Sequence, residues 1–188
     1  MKDGTPGRFV IGVTGASGAI YAHRLLTHLK ALGQQVHLVV TDMGKRVCNY
    51  EGHGECLKLA DKAYANDDFF APIASGSYPH RGMVVIPCSM GTLGKIAHGI
   101  GDTLLTRAAD VCLKEKRTLI VVPRETPMSG LHLQNQKMLS DYGAVILPAC
   151  PSFYHKPQTI EDLVDTVLAR VLDHLGLDHE VGKRWRDP

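Results

Sequence analysis

The sequence lacks the features that mark disulfide-rich, nucleic-acid-binding and membrane-spanning proteins. It has five cysteines, an odd number with no CxxC pair, which favours reduced thiols over a disulfide framework. Its 21 basic residues nearly balance 19 acidic ones, and a formal charge of +2 does not predict a nucleic-acid surface. No apolar run reaches the length of a membrane span, and the first one, Phe9–Val13, is too short for a signal peptide. We therefore expect a cytoplasmic protein.

The sequence does contain a regular alternation of apolar strands and amphipathic helices. Five short apolar runs are typical of buried strands: 9–13, 36–40, 83–86, 119–122 and 144–147. Apolar residues at helical spacing separate them, over 25–32, 104–112 and, behind a capping Thr159, 160–175. Strands that alternate with helices form parallel βαβ units. The sequence thus predicts an α/β fold, a doubly wound Rossmann- or flavodoxin-like parallel sheet flanked by helices, with residues 1–188 as one domain.

The turn after the fourth of these strands carries a cation and a carboxylate. Arg124 and Glu125 stand between Pro123 and Pro127, which hold the turn in a stiff, non-helical conformation. In an open α/β sheet, ligands occupy the crevice at the carboxyl ends of the strands. The turn is therefore a candidate site, although a solvated surface pair is an open alternative.

Two further strand ends carry small and hydroxyl residues. The turn Gly12–Gly18 leads from the first strand into a helix, so its backbone N–H groups can face an anion. The turn Ser89–Thr92 offers a second set of hydroxyl and amide donors. The first turn lacks the GxGxxG spacing and a P-loop lysine, and Asp42 comes slightly late for a ribose-binding acid. The pair predicts a nucleotide-sized anion site, which suits the ribityl phosphate of FMN, or else a tight strand-to-helix turn.

Other polar residues give weaker evidence for a functional site. The Gly-His-Gly-Glu-Cys run at 52–56 has metal-ligand types but no matching second cluster, so we predict no metal. Ser17 lacks a GxSxG context and is better explained as an anion donor at a helix start. Arg107 and Lys114 lie two turns apart on one predicted helix face, where they could reach one anion or form a solvated surface. Tyr154 follows the last strand at the same edge of the sheet.

Several motifs together resemble one known family. They are GVTGASGA at 12–19, ASGS at 74–77, PCSMGTLGKIAHGIGDTLLTRAADVCLKEKR at 87–117, VVPRETP at 121–127 and PSFYHKPQT at 151–159. From about Phe9 to Trp185 the chain resembles the flavin prenyltransferases called UbiX, a family earlier known as aromatic-acid or hydroxybenzoate decarboxylases. The resemblance implies metal-independent transfer of a dimethylallyl group from dimethylallyl monophosphate to N5 and C6 of reduced FMN.

The resemblance also implies a role for particular residues. The expected FMN-binding residues are Gly15, Ala16, Ser17, Thr41, Ser89, Met90, Gly91, Thr92 and Arg124. The expected residues for dimethylallyl phosphate are Lys114, Arg124, Glu125, Tyr154, Arg170 and Trp185. The expected catalytic residues are Ser17, Glu51, Glu125, Lys114 and Arg107.

Similar proteins assemble this site from several subunits, so the resemblance implies a homo-oligomer, a dodecamer, with a tail from about residue 176 reaching the active site or a neighbouring subunit. The product, prenylated FMN, would serve a separate UbiD-type decarboxylase in ubiquinone biosynthesis or aromatic-acid decarboxylation. Two alternatives stay open: an FMN-dependent cysteine decarboxylase of the same fold and a flavodoxin-like electron carrier. The chain lacks the Pro-Ala-Ser-Ala-Asn-Thr and Pro-x-Met-Asn-x-x-Met motifs of such decarboxylases.

Overall fold

A computed structural model describes residues 6–182 and 184. Six strands form one parallel sheet in the order β3-β2-β1-β4-β5-β6. The strands are β1 (Arg8–Val13), β2 (Gln35–Val40), β3 (Lys62–Tyr64), β4 (Gly82–Cys88), β5 (Thr118–Pro123) and β6 (Val145–Ile146). This order reverses direction between β1 and β4, and such a switch point is where α/β sheets bind ligands.

Six α-helices flank the sheet in the described part of the chain. They are α1 (Ala19–Ala31), α2 (Asp42–Tyr50), α3 (Met90–Ala97), α4 (Leu104–Lys114), α5 (Gly130–Asp141) and α6 (Ile160–His174). Short 3₁₀ helices occupy Gly54–Leu59 and Pro72–Ala74. No helix in the described part of the chain is both long enough and apolar enough to cross a membrane.

The sheet separates two hydrophobic clusters because alternate side chains of a strand point to opposite faces. Phe9 and Ile11 of β1 face the cluster that α1 and α6 cover, whereas Val10 faces the cluster that α3, α4 and α5 cover. The central strands are buried on both faces, which explains their continuous apolar sequences. The predicted doubly wound parallel sheet is confirmed.

Every predicted strand and helix is present, and the structure adds β3 and the helices α2, α3 and α5. All five predicted strands are present, with the last one shortened to Val145–Ile146. The strand β3 was not predicted, because it has three residues and lies at the edge of the sheet. The predicted cap of α6 is also confirmed: Thr159 accepts a hydrogen bond from the backbone N–H of Asp162 at 3.0 Å.

Candidate active site

One buried hydroxyl joins the turns that follow β1 and β4. Thr14 Oγ1 donates to the carbonyl of Pro87 at 2.8 Å and accepts from the backbone N–H of Ser89 at 2.7 Å. The residue is 1% exposed, so both bonds form away from water, where an unpaired hydroxyl would be costly. The turn after β1 and the turn after β4 are therefore joined at one edge of the sheet.

Three helices begin at this edge. α1 starts after Gly18, α2 after Thr41 and α3 after Ser89. Thr41 Oγ1 caps its helix by accepting from the N–H of Gly44 at 3.0 Å. The hydroxyls of Ser89 and Thr92 lie 3.1 Å apart. Because helix N-termini carry partial positive charge, the edge presents a favourable electrostatic environment to an anion.

A cleft of about 480 Å³ opens between the starts of α2, α3 and α4. Its lining residues are Gly15, Thr41, Asp42, Met43, Asn66, Ser89, Gly91, Thr92, Lys95, Thr103, Leu105 and Thr106. Five of the residues predicted to bind a cofactor therefore share one cleft: Gly15, Thr41, Ser89, Gly91 and Thr92. Ala16 and Met90 are buried, at 5% and 7% exposure, and do not line the cleft.

Several lining residues were missed by the sequence analysis. Asn66 follows β3, the unpredicted strand, and its side chain accepts from the N–H of Leu105 at 3.1 Å. Thr103 caps α4 through a capping box with Thr106. The Thr103 cap could have been found from its position before the apolar residues of α4. Asn66 could not, because its place depends on a strand with no apolar signature.

Glu51 lies at the start of α1, although it is the residue after α2. Its carboxylate accepts from the backbone N–H of Ala19 at 2.7 Å and from that of Gly18 at 3.0 Å. Gly18 has no side chain to cap α1, so Glu51 supplies the acceptor that the helix start requires. This places a predicted catalytic carboxylate next to Ser17.

The ionisation of Glu51 follows from these contacts. Burial raises the pKa of Glu51, but hydrogen bonds from the Ser17 side chain and from the N–H groups of Ala19 and Gly18 outweigh that effect. The nearby His53 lowers the pKa further. The net pKa therefore lies below its ordinary value, and Glu51 is a carboxylate at neutral pH.

Arg124 connects the β5 turn to the same place. Its Nε donates to the carbonyl of Ser17 at 3.0 Å, and its backbone N–H donates to the carbonyl of Cys88 at 3.2 Å. Glu125 is half-buried beside it, with one oxygen accepting from the N–H of Thr126 at 3.1 Å. Three predicted residues, Ser17, Glu51 and Arg124, therefore converge on the first turn.

A second group of predicted cations lies along α4. Arg107 Nε donates to the carbonyl of Ala74 at 3.2 Å, and its Nη1 pairs with Asp110 at 2.6 Å. Lys114 pairs with Glu115, and a Cβ added to Gly76 would lie 2.8 Å from Lys114 Nζ. Both cations thus border the 74–77 segment. Each has a carboxylate partner in the described chain.

A third group lies at α6. Tyr154 and Arg170 line a cavity of about 250 Å³ together with Asp173 and Arg184. Asp173 accepts from Arg170 at 2.7 Å and from Arg184 at 2.9 Å. The hydrogen bond from Arg184 lowers the pKa of Asp173 despite partial burial. The remaining predicted residue, Trp185, lies outside the described residues.

The fold keeps the α4 and α6 groups apart. The apolar face of α4 packs on one side of the sheet and that of α6 packs on the other. Lys114 and Arg170 therefore belong to helices on opposite faces of the same subunit. One chain brings Ser17, Glu51 and Arg124 together, but it does not gather all the predicted phosphate-binding residues at one point.

The structure also locates the cysteines and the possible metal-ligating side chains. All five cysteines are unpaired, with Cys150 exposed and the other four buried in the core. Among residues 6–182 and 184, no cluster of three or more His, Cys, Asp or Glu side chains could hold a metal ion.

Comparison with known proteins identifies the family. The model of the flavoprotein family matches residues 2–172. The flavin prenyltransferase UbiX of Halalkalibacterium halodurans is 48% identical over 192 aligned residues, which cover 95% of this chain and 93% of that protein. The chain therefore belongs to the flavoprotein family and, within it, to the flavin prenyltransferases called UbiX. The resemblance found in the sequence motifs is confirmed.

Two solved structures agree with this assignment. A crystal structure of AnUbiX in complex with FMN and dimethylallyl pyrophosphate is 40% identical, has a TM-score of 0.93 and is matched over 97% of this chain and 99% of its own. A dodecameric FMN-dependent UbiX-like decarboxylase from Escherichia coli O157:H7 is 42% identical, with a TM-score of 0.92, over 96% of this chain and all of its own.

Proposed function

We propose that this chain is a flavin prenyltransferase. It transfers a dimethylallyl group from dimethylallyl monophosphate to N5 and C6 of reduced FMN, making prenylated FMN. The observation that carries the proposal is the convergence of Glu51 and Arg124 on Ser17, two residues from Gly15, which lines a cleft suited to a phosphorylated ligand. The similarity to a protein solved with FMN and dimethylallyl pyrophosphate supports the same substrates.

The cleft residues fit FMN. The starts of α2 and α3 and the hydroxyls of Thr41, Ser89 and Thr92 supply donors for a phosphate and a ribityl chain. At Gly15 the backbone approaches Met43 so closely that an added Cβ would lie 2.7 Å from the Met43 Cβ. At Gly91 an added Cβ would meet nothing within 4 Å, so the backbone of α3 is open to a ligand. Bound reduced FMN supplies the nucleophilic ring that accepts the prenyl group.

The predicted cations bind the prenyl phosphate and stabilise it as it departs. Arg107 and Lys114 border the 74–77 segment, whereas Tyr154 and Arg170 line the α6 cavity. Fixed cations and donors stabilise a leaving anion most when they are preorganised, and ion pairs with Asp110 and Asp173 restrain two of these side chains. Trp185 provides an aromatic face to the allyl group in this proposal.

The proton transfers in this proposal are carried out by two carboxylates, Glu51 and Glu125. Glu51 is held ionised at the start of α1 beside Ser17, so it accepts a proton near the flavin-facing turn. Glu125 lies in the turn that also carries Arg124, and it exchanges a proton with the leaving phosphate. Ser17 and Arg124 position these groups through their contacts at the first turn.

Assembly completes the site in this proposal. Because Lys114 and Arg170 belong to helices on opposite faces of the sheet, we infer that neighbouring subunits supply the missing cations. The dodecameric state of the Escherichia coli relative favours a homododecamer. The tail from about residue 176 reaching a neighbouring active site stays a prediction, as does the single domain over 1–188. We also propose a cytoplasmic location and delivery of the product to a UbiD-type decarboxylase.

Anaerobic incubation with reduced FMN and dimethylallyl monophosphate tests the function. We expect the mass spectrum of the released flavin to show the addition of one dimethylallyl group, with or without a chelator. Omitting the prenyl phosphate is the matched control. An unchanged flavin mass would contradict prenyl transfer and leave the flavodoxin-like carrier or the cysteine decarboxylase as the explanation of FMN binding.

A further inference from the structure

Two histidines form a direct contact next to the site. The Nδ1 atoms of His23 and His53 lie 2.9 Å apart, and the rings meet edge to face with centroids 5.1 Å apart. Both side chains are half-buried. A neutral imidazole has one N–H donor and one acceptor nitrogen, so at this distance one ring donates and the other accepts. The pair therefore holds a single proton between its two Nδ1 atoms.

This contact ties the loop that carries Glu51 to α1. His53 comes two residues after Glu51, and its backbone N–H donates to the carbonyl of Cys48 at 2.8 Å. On α1, Ala19 and His23 are one turn apart and therefore lie on the same face. The loop thus contacts successive turns of α1, with Glu51 at Ala19 and His53 at His23.

We propose that the His23–His53 pair is a positioning element for Glu51, holding its carboxylate on the first turn of α1 beside Ser17. The inference rests on the proposed function only in assigning Glu51 a part in the reaction. Neither histidine is among the residues expected to bind FMN or the prenyl phosphate. They act through Glu51, because they fix the far end of the loop from which its side chain extends.

The surrounding charges determine how the pair responds to pH. The charged groups that face it are Arg24 on α1, which interacts with His23, and Glu51 in the loop, which interacts with His53. Burial lowers the pKa of His23, and His53 and Arg24 lower it further. His23 is therefore uncharged at neutral pH and shares the one proton of the contact with His53. Protonation of His23 turns its Nδ1 into a donor and places a positive charge beside Arg24, which disfavours the present contact.

Because the pKa of His23 is lowered in the folded protein, acid weakens the contact. A histidine whose pKa is depressed in the folded protein contributes stabilisation above its ordinary pKa of about 6.5, and that contribution is lost as pH falls through the folded value. The positioning of Glu51 is thus complete at neutral pH. It weakens as the pH falls below about 6.5, the ordinary pKa of histidine.

Substitutions that differ in one hydrogen-bonding atom test the proposal. His23→Leu removes the nitrogen and keeps an apolar side chain, whereas His23→Asn places a hydrogen-bonding atom where Nδ1 stands but cannot take a proton. His53→Asn is the reciprocal change. His174→Leu, at the exposed last position of α6, is the matched control. Each variant is measured as the intact oligomer loaded with FMN.

Hydrogen exchange followed by mass spectrometry gives the first measurement and does not depend on catalysis. The amides of Gly18 and Ala19 donate to Glu51, so His23→Leu should increase their exchange by roughly 5-fold, the effect of losing one hydrogen bond. His23→Asn and His53→Asn should retain most of the protection. Wild-type exchange at these amides in His23→Leu would overturn the proposal, whatever the enzyme assay shows.

The pH dependence of prenyl transfer gives the second measurement. We expect His23→Leu to lower turnover by about 10-fold, because displacement of a reacting group by a fraction of an ångström is enough for such a loss. His23→Asn should restore the rate near neutral pH and remove the fall in rate below a pH of about 6.5. An acid limb unchanged in His23→Asn would count against the pair. If wild type transfers no prenyl group, the proposed function fails and the exchange data alone decide the positioning role.

Discussion

Replacing Glu51 by Gln should separate the charge of this residue from its shape. In the structure the carboxylate accepts two backbone N–H groups of α1, at 2.7 Å from Ala19 and 3.0 Å from Gly18. Gln still offers one acceptor oxygen but has no charge for the helix start to stabilise. A partly buried anion at a helix N-terminus contributes about 0.3–2 kcal/mol. We expect a loss of about 1 kcal/mol, which for a chain of this size lowers the melting temperature by about 2–4 °C.

The pH dependence of that difference tests the same contact. The pKa of Glu51 is lowered in the folded protein, so its stabilisation is present above the ordinary pKa of about 4.3 and is lost as pH falls through the folded value. Wild type and Glu51→Gln should therefore differ at pH 7 and converge below a pH of about 4. Thermal unfolding followed by circular dichroism measures both, with Glu55→Gln, an exposed partner of Lys58, as the control.

Kinetics then distinguish a structural cap from a reacting group. Glu51→Gln should bind FMN with nearly wild-type affinity, since the cleft residues are separate from the carboxylate, and lower prenyl transfer by roughly 100-fold. Equal melting temperatures at pH 7, or a gap that persists in acid, would refute the capping argument. Wild-type turnover in the variant would refute the acid/base role.

Further predictions concern the cations and the assembly. Lys114→Ala or Arg170→Ala should leave FMN affinity nearly unchanged and slow prenyl transfer by about 30- to 1000-fold. The reason is that a lost contact to the leaving anion costs about 2–4 kcal/mol. The control Lys137→Ala, in an exposed pair on α5, should match wild type. Glu125→Gln should bind substrates and lower turnover by roughly 100-fold, which steady-state kinetics under anaerobic conditions would show. Mixed oligomers refolded from Lys114→Ala and Glu51→Gln subunits should regain activity above either parent, since intact sites form when the two positions come from different chains. A fully active monomer by light scattering would rule out a shared site.

The strands that form the switch point were predictable because they are buried on both faces. Such strands have continuous apolar sequences, and the turns after β1 and β4 are marked by glycine and hydroxyl residues. The same logic failed at β3, whose three residues, Lys62–Tyr64, are largely exposed at the sheet edge. The apolar pattern also did not predict α5, because Leu131 and Leu133 are exposed in this helix whereas Asn135 and Gln136 are buried.

The candidate site was predictable only in part. The strand-end rule brings Arg124 to the same edge as Ser17, and the structure adds the hydrogen bond between them. Glu51 was expected only through family resemblance, because no local pattern indicates that a residue after α2 caps α1 from more than thirty positions away. The separation of α4 from α6 follows from tertiary packing, which periodicity alone does not reveal.

The hydrogen bonds of Thr14 determine when the backbone of the two turns becomes ordered. Its hydroxyl bonds to Pro87 and to Ser89 within the chain itself, so the two turns around the cleft have one shared conformation. The entropy of fixing a backbone is about 1–2 kcal/mol per residue, and here it is lost during folding instead of at the moment of association. A substitution that freed the two turns would move that entropy loss to the encounter with the ligand. Affinity would then fall although every atom that touches the ligand was still present.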